Sequence, residues 1–208
     1  LVRLGWSHGD QEIFSLDEMV ELFELNNVNK APSSFNTEKL LWINQHYIKE
    51  SDPARVAHLL SVHMGDLDID PALGPDLVEV VKVQRERAKT LVELAEISAF
   101  YYKDFDGYNE KSMKKAFKEA AIAPLECTRS ALSALDEWQP DALKRVLDEV
   151  VAELEIGFGK LGMPLRLAIT GGAPSPDLEL TLYLVGREAC IRRIDKAMAK
   201  IRELMQQA

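Results

Sequence analysis

With 208 residues, 47% of them hydrophobic and 28% charged, the chain can bury one large core or two small ones. Its formal net charge of −9 argues against indiscriminate binding to nucleic acid. No apolar run approaches the roughly 20 residues of a membrane span, and the start lacks the basic and apolar regions of a signal peptide. Cys127 and Cys190 stand far apart without a CxxC, which excludes a disulfide framework or zinc motif and suits a reducing, cytoplasmic setting. The opening LVRLGWSHGD, without methionine and already apolar, reads as a cut through a longer protein.

Taken in order, almost every segment has helical period. Ser15 and Glu18 form a capping box that opens SLDEMVELFEL. FNTEKLLWINQHYIK starts a helix at Asn36 or Thr37, with Leu40, Ile43, Asn44 and Tyr47 on one face and Lys39, Trp42, His46 and Lys49 on the other. Asp52 and Pro53 open the next helix. After a Pro- and Gly-broken loop at 66–76, the pattern predicts one long helix over 76–97, with Leu77, Val81, Ala88, Leu91 and Ala95 inward. A turn at Asp106–Gly107 marks a boundary. Beyond it KSMKKAFKEAA, LECTRSALSAL, QPDALKRVLDEVVAEL, a short helix begun by Pro164, and GREACIRRIDKAMAKIREL complete the chain. No alternating run with flanking turns suggests a strand, so the expected fold is all-α, with two helical lobes.

Catalytic and metal patterns fail. Asp66, Asp68 and Asp70 have calcium-loop spacing, but Pro71 and Leu77 occupy the positions that need Gly and a bidentate acid. His58 and His63 are five apart and lack the glutamate of HExxH. Neither a GxGxxG, a P-loop nor a nucleophile elbow occurs.

Positive charge is local. Residues 82–89 hold Lys82, Arg85, Arg87 and Lys89 against Glu86; 111–118 hold four lysines and no acid; the last 23 residues hold six basic and three acidic. Each cluster could be an ordinary solvated face, or the footprint of a polyanion. The stretch MPLRLAITG is more pointed. On a helix, Arg166 and Thr170 share the only polar strip, so one guanidinium looks out of an otherwise apolar element. Its planar fork suits a base edge or a phosphate, and equally a nearby carboxylate. The following GGAPSPDL offers exposed backbone to a planar ligand.

The ordered blocks LVRLGWSHGDQEIF, FNTEKLLWINQHYIK, RAKTL and GMPLRLAITG…SPDL…VGRE…RRI resemble bacterial glutamyl-tRNA synthetase over all 208 residues. The resemblance covers only that family's carboxy-terminal half, without its ATP-binding motifs. It implies three parts: the end of a stem-contact domain (1–50), then anticodon-binding lobes at 51–106 and 107–208. It implies tRNA(Glu) as partner, together with the absent amino-terminal catalytic domain, and a monomer. ATP and magnesium belong to the parent enzyme, with no cofactor or catalytic residue in this stretch. The family's anticodon-reading arginine falls on Arg166 and its loop neighbours on Ser175, Pro176 and Leu178; Thr170, on the same polar strip as Arg166, joins them as a candidate. A second arginine, tied to cytosine at the third anticodon position and to strict selectivity for tRNA(Glu), falls on Arg87. Asp177 stands where a small neutral residue is usual. Lys39, Lys49, Arg85 and Lys89 are the expected stem or backbone contacts, with Trp42 packing on a neighbouring helix. The rival expectation is a helical protein-interaction module without RNA binding.

Overall fold

Helices begin where a short polar side chain can take over an orphaned amide. A computed structural model of the chain describes residues 2, 5–30 and 34–206; Leu1, Arg3 and Leu4 of the opening block lie outside them. Ser15 and Glu18 make the expected reciprocal box ahead of α1 (Leu16–Leu22), at 3.2 and 2.7 Å. Asn36 accepts from the Lys39 amide at 3.0 Å to open α2 (Thr37–Glu50). Pro53 begins α3 (Pro53–Gly65), although the Asp52 side chain makes no capping bond. Asp76 caps α4 (Leu77–Gln84).

The long helix expected over 76–97 is two helices. After α4 the chain tightens into a 3-10 turn at Arg85–Arg87, and Ala88 turns to extended backbone. Thr90 then starts α5 (Leu91–Ser98) as a new N-cap. Its hydroxyl accepts from the Glu93 amide at 3.1 Å, while the Glu93 carboxylate accepts from the Lys89 amide at 2.7 Å. Ala88 stays fully buried through the break, which keeps the apolar period looking continuous. The T-x-x-E signal at 90–93 is the mark of the interruption.

The second half holds α6 (Glu110–Ala116), α7 (Ile122–Ala134), α8 (Pro140–Glu153), α9 (Phe158–Thr170), α10 (Leu178–Val185) and α11 (Arg187–Gln206). Pro164 does not begin α9; it sits in its interior. The missing N–H would have bonded the carbonyl of Lys160, an exposed residue in the first turn where water can substitute. The stretch 178–185, unassigned from sequence, is helical because its apolar residues are buried on several sides, Leu178, Leu182, Leu184 and Val185 among them. Among the described residues there is no strand.

α3, α4 and α5 pack around Leu60, Met64, Val80 and Leu94; α7 to α11 pack around Leu125, Leu143, Leu161, Leu165, Ile169, Leu182 and Ile194. Each such side chain contributes about 1.5–3 kcal/mol on burial. One hydrophobic cluster runs through both sets, so the lobes share a core across the turn near residue 107. Arg193 reinforces the join. Buried to 3% exposure, it donates to the carbonyls of Phe100, Lys103 and Ile169 and to Asp104.

The first fifty residues have a smaller centre, Trp6 with the rings of Phe14 and Phe23 at 5.4 and 5.7 Å. On α2 only Ile48 is buried, while Leu40 and Tyr47 stay about half exposed. Trp42 is 48% exposed and its ring partner is His46, one turn along the same helix.

Candidate nucleic-acid interface

Arg166 projects from the third turn of α9, between buried Leu165 and Leu167. Of the two expectations for it, a bonded carboxylate is not found among the described residues. Its Nη1 instead donates to the Ser175 and Pro176 carbonyls and to the Ser175 hydroxyl. Among the described residues Nε and Nη2 meet no protein acceptor, so one edge of the fork is anchored and the other is open. Burial pulls the pKa of this guanidinium down; Asp177 counters that, and the nearby charge of Arg87 adds to it.

The anchoring loop is shaped by contacts that sequence alone left open. Gly171 ends α9 in the left-handed region (φ 67°), where a Cβ would lie 2.8 Å from the Phe105 ring. At Gly172 (φ 108°) it would lie 2.5 Å from the Asn109 Cβ. These glycines therefore press against the protein's own 105–109 turn, with Asn109 N donating to Gly171 O at 2.8 Å, while Gly172 stays exposed.

Thr170, expected on an open polar strip, is 2% exposed. Its hydroxyl donates to Arg166 O at 2.9 Å and accepts from Gly172 N at 3.1 Å. Leu178 is likewise buried, and Pro176 with it. The structure brings Arg166, Thr170, Ser175, Pro176 and Leu178 into one neighbourhood, in which Thr170 braces the loop.

Beside them lies a cleft of about 390 Å³ between α6, α9 and the loop. Lys115, Phe158, Met163, Arg166 and Leu178 are among its lining residues. Phe158 and Met163 are about half exposed there, two apolar surfaces next to two cations. Sequence reasoning passed over both, although exposed apolar residues flanking an arginine are a usable signal for a planar ligand.

Arg87 reaches the same seam from the other lobe. It stands on the exposed 3-10 turn, with Nη1 donating to Val83 O at 2.7 Å, a cation on the last carbonyls of α4. The turn is gripped by α2. Asn44 donates to Lys89 O at 2.6 Å, Gln45 to Glu86 O at 3.3 Å, and Lys49 pairs with Glu86 at 2.6 Å. Arg85 adds a bond to Ser51 O at 3.0 Å. Tyr101, buried, feels the charge of both Arg87 and Arg166, and burial pushes its pKa well up. Two like charges thus share a neighbourhood, and among the described residues neither has a bonded carboxylate, an arrangement that an acceptor-rich ligand relieves.

Of the expected backbone contacts, Lys39 and Lys49 are paired with Glu12 and Glu86, and Arg85 is committed to Ser51. In the absence of RNA these side chains are thus held by protein partners, in exposed pairs of the kind that exchange readily. Lys89 remains exposed. By contrast Lys111, Lys114, Lys115 and Lys118 are all exposed, and none has an ion pair among the described residues.

Among the described residues the chain is a strand-free helical bundle with an open arginine fork beside a cleft with apolar walls. The chain belongs to the anticodon binding domain family, whose model matches residues 53–198. It is similar to the solved glutamate tRNA ligase of Elizabethkingia meningosepticum, 28% identical with a TM-score of 0.85, over 95% of this chain and 39% of that one. The glutamate-tRNA synthetase of Elizabethkingia anophelis matches at 29% identity and a TM-score of 0.82, over 94% and 38%. The chain therefore spans about two fifths of the length of these proteins.

Proposed function

We propose that this chain is the tRNA-binding part of a glutamate-tRNA ligase, reading the anticodon of tRNA(Glu) and orienting the acceptor end toward a catalytic region elsewhere in the enzyme. In that enzyme ATP and magnesium serve glutamate activation, and the 208 residues alone catalyse nothing. The setting is cytoplasmic and the enzyme acts as a monomer.

One observation carries the reading: the Arg166 guanidinium is fixed on its Nη1 side and open on the rest, within the field of Arg87. Donors held this way suit the O2 and N3 acceptors of cytosine and conflict with the donor edge of guanine. A buried donor left unpaired costs about 1–3 kcal/mol, one to two decades of affinity at about 1.4 kcal/mol per tenfold. Splayed anticodon bases are also the accessible part of the RNA, since the A-form major groove is too narrow for side chains. Loop residues Ser175, Pro176 and Leu178 frame the first anticodon positions, and Arg87 faces the third. The α6 lysines supply phosphate contacts at the rim of the cleft.

Titrating tRNA(Glu) against the chain at several salt concentrations tests this. Binding should weaken linearly in log–log form, favour the cognate anticodon, and lose about 0.7 in slope for each phosphate contact removed when Lys111, Lys114 and Lys115 become glutamine. A protein-interaction module would show neither salt slope nor anticodon preference.

A further inference from the structure

Gln84 is the last residue of α4 and fully buried. Its Nε2 donates to Ile97 O at 3.0 Å and, ninety residues away, to Pro174 O at 2.9 Å. Two carbonyls on one side fix which end of the amide faces them, because the oxygen would be repelled there. The Oε1 is left buried without a partner, so the residue is a poor choice for stability alone.

Its position is the telling feature. Pro174 immediately precedes Ser175 and Pro176, the acceptors that hold Nη1 of Arg166. On the other side Val83, next in chain to Gln84, holds Nη1 of Arg87. One side chain therefore connects the carrier of one guanidinium to the carrier of the other, across the seam between the lobes. We propose that Gln84 is a positioning residue that sets the separation of Arg87 and Arg166, so that the first and third anticodon positions are read together. This rests on the anticodon-reading function proposed above.

The test uses the whole chain with a tRNA(Glu) transcript and transcripts substituted at the first anticodon position, at the third, or at both. Gln84→Met keeps the length and removes the donors. The preference for cognate over each singly substituted transcript should fall together by about tenfold, while affinity for the doubly substituted one stays within about twofold. Equal weakening toward all four transcripts, or preferences that survive unchanged, overturns the positioning role. If the unsubstituted protein shows no preference at all, it is the anticodon-reading function itself that fails, and this inference with it. A variant-free measurement guards against misfolding: the Gln84 side-chain amide protons should exchange slowly with solvent in the unsubstituted protein, and rapid exchange overturns the tie.

Discussion

Arg166 can be removed at modest structural cost because of where its anchored edge points. Ser175 is part-exposed, so water can replace the donor there, and Pro176 O keeps a longer bond from the Thr181 hydroxyl at 3.4 Å. Arg166→Ala should therefore cost about 1 kcal/mol of stability, a fall of roughly 2–4 °C in Tm for a chain of this size. Affinity for tRNA(Glu) should drop at least tenfold, since a charge-assisted contact and a pre-placed fork are both lost. Arg166→Lys keeps the charge without the fork and should recover only the salt-dependent part. A melting loss that accounts for the whole binding defect would return Arg166 to a structural role. Arg87 makes a different prediction because it stands on a turn with one bond to its own helix end. In the glutamate-tRNA ligase proposed above, Arg87→Gln should raise charging of glutamine tRNA relative to glutamate tRNA; unchanged selectivity would separate Arg87 from the third anticodon position.

The element that delivers Arg87 is the interruption between α4 and α5, and its weak point is a cap. Thr90→Ala removes the acceptor for the Glu93 amide, at about 1 kcal/mol. The broken turn should then loosen, so third-position preference should fall more than first-position preference, and Thr90→Ser should restore both. Equal loss at both positions, measured by competition between transcripts, would mean that the turn has no separate role. This interruption also marks the limit of what the sequence discloses. Caps at Ser15 and Asn36 are readable because donor and acceptor lie three residues apart, and the all-α class follows from unbroken helical period. The 84–90 break hides because buried Ala88 keeps that period, and only Thr90 with Glu93 betrays it. Pro164 misleads as a helix start because proline at the first position is the commoner case, whereas its burial inside α9 depends on packing. The cluster around Arg166 is legible in outline. What holds it is not, since the Gln84–Pro174 bond joins residues distant along the chain, as does the Lys49–Glu86 pair that grips the Arg87 turn.

Across the whole molecule, the seam is closed on one side by Gln84 and on the other by Arg193 with Asp104. The Arg192 bond, aided by Arg193, holds the Asp104 carboxyl down at about 2. Lys196 lies 3.5 Å from the same carboxylate. A carboxyl whose pKa is lower in the folded state stabilises fully above its unfolded value near 4, and that contribution disappears as pH falls toward 2. Asp104→Asn should therefore lower stability at pH 7 by about 1–3 kcal/mol, toward the lower figure because the carboxylate is one-third exposed and solvent screens it. Arg193 keeps three carbonyl acceptors in that variant, so the lobes should stay joined and the helical signal should persist. Urea midpoints for the two proteins should differ at pH 7 and converge between pH 4 and pH 2. A gap that is the same at pH 3 as at pH 7 would show that the ion pair does not fasten the second lobe to the first.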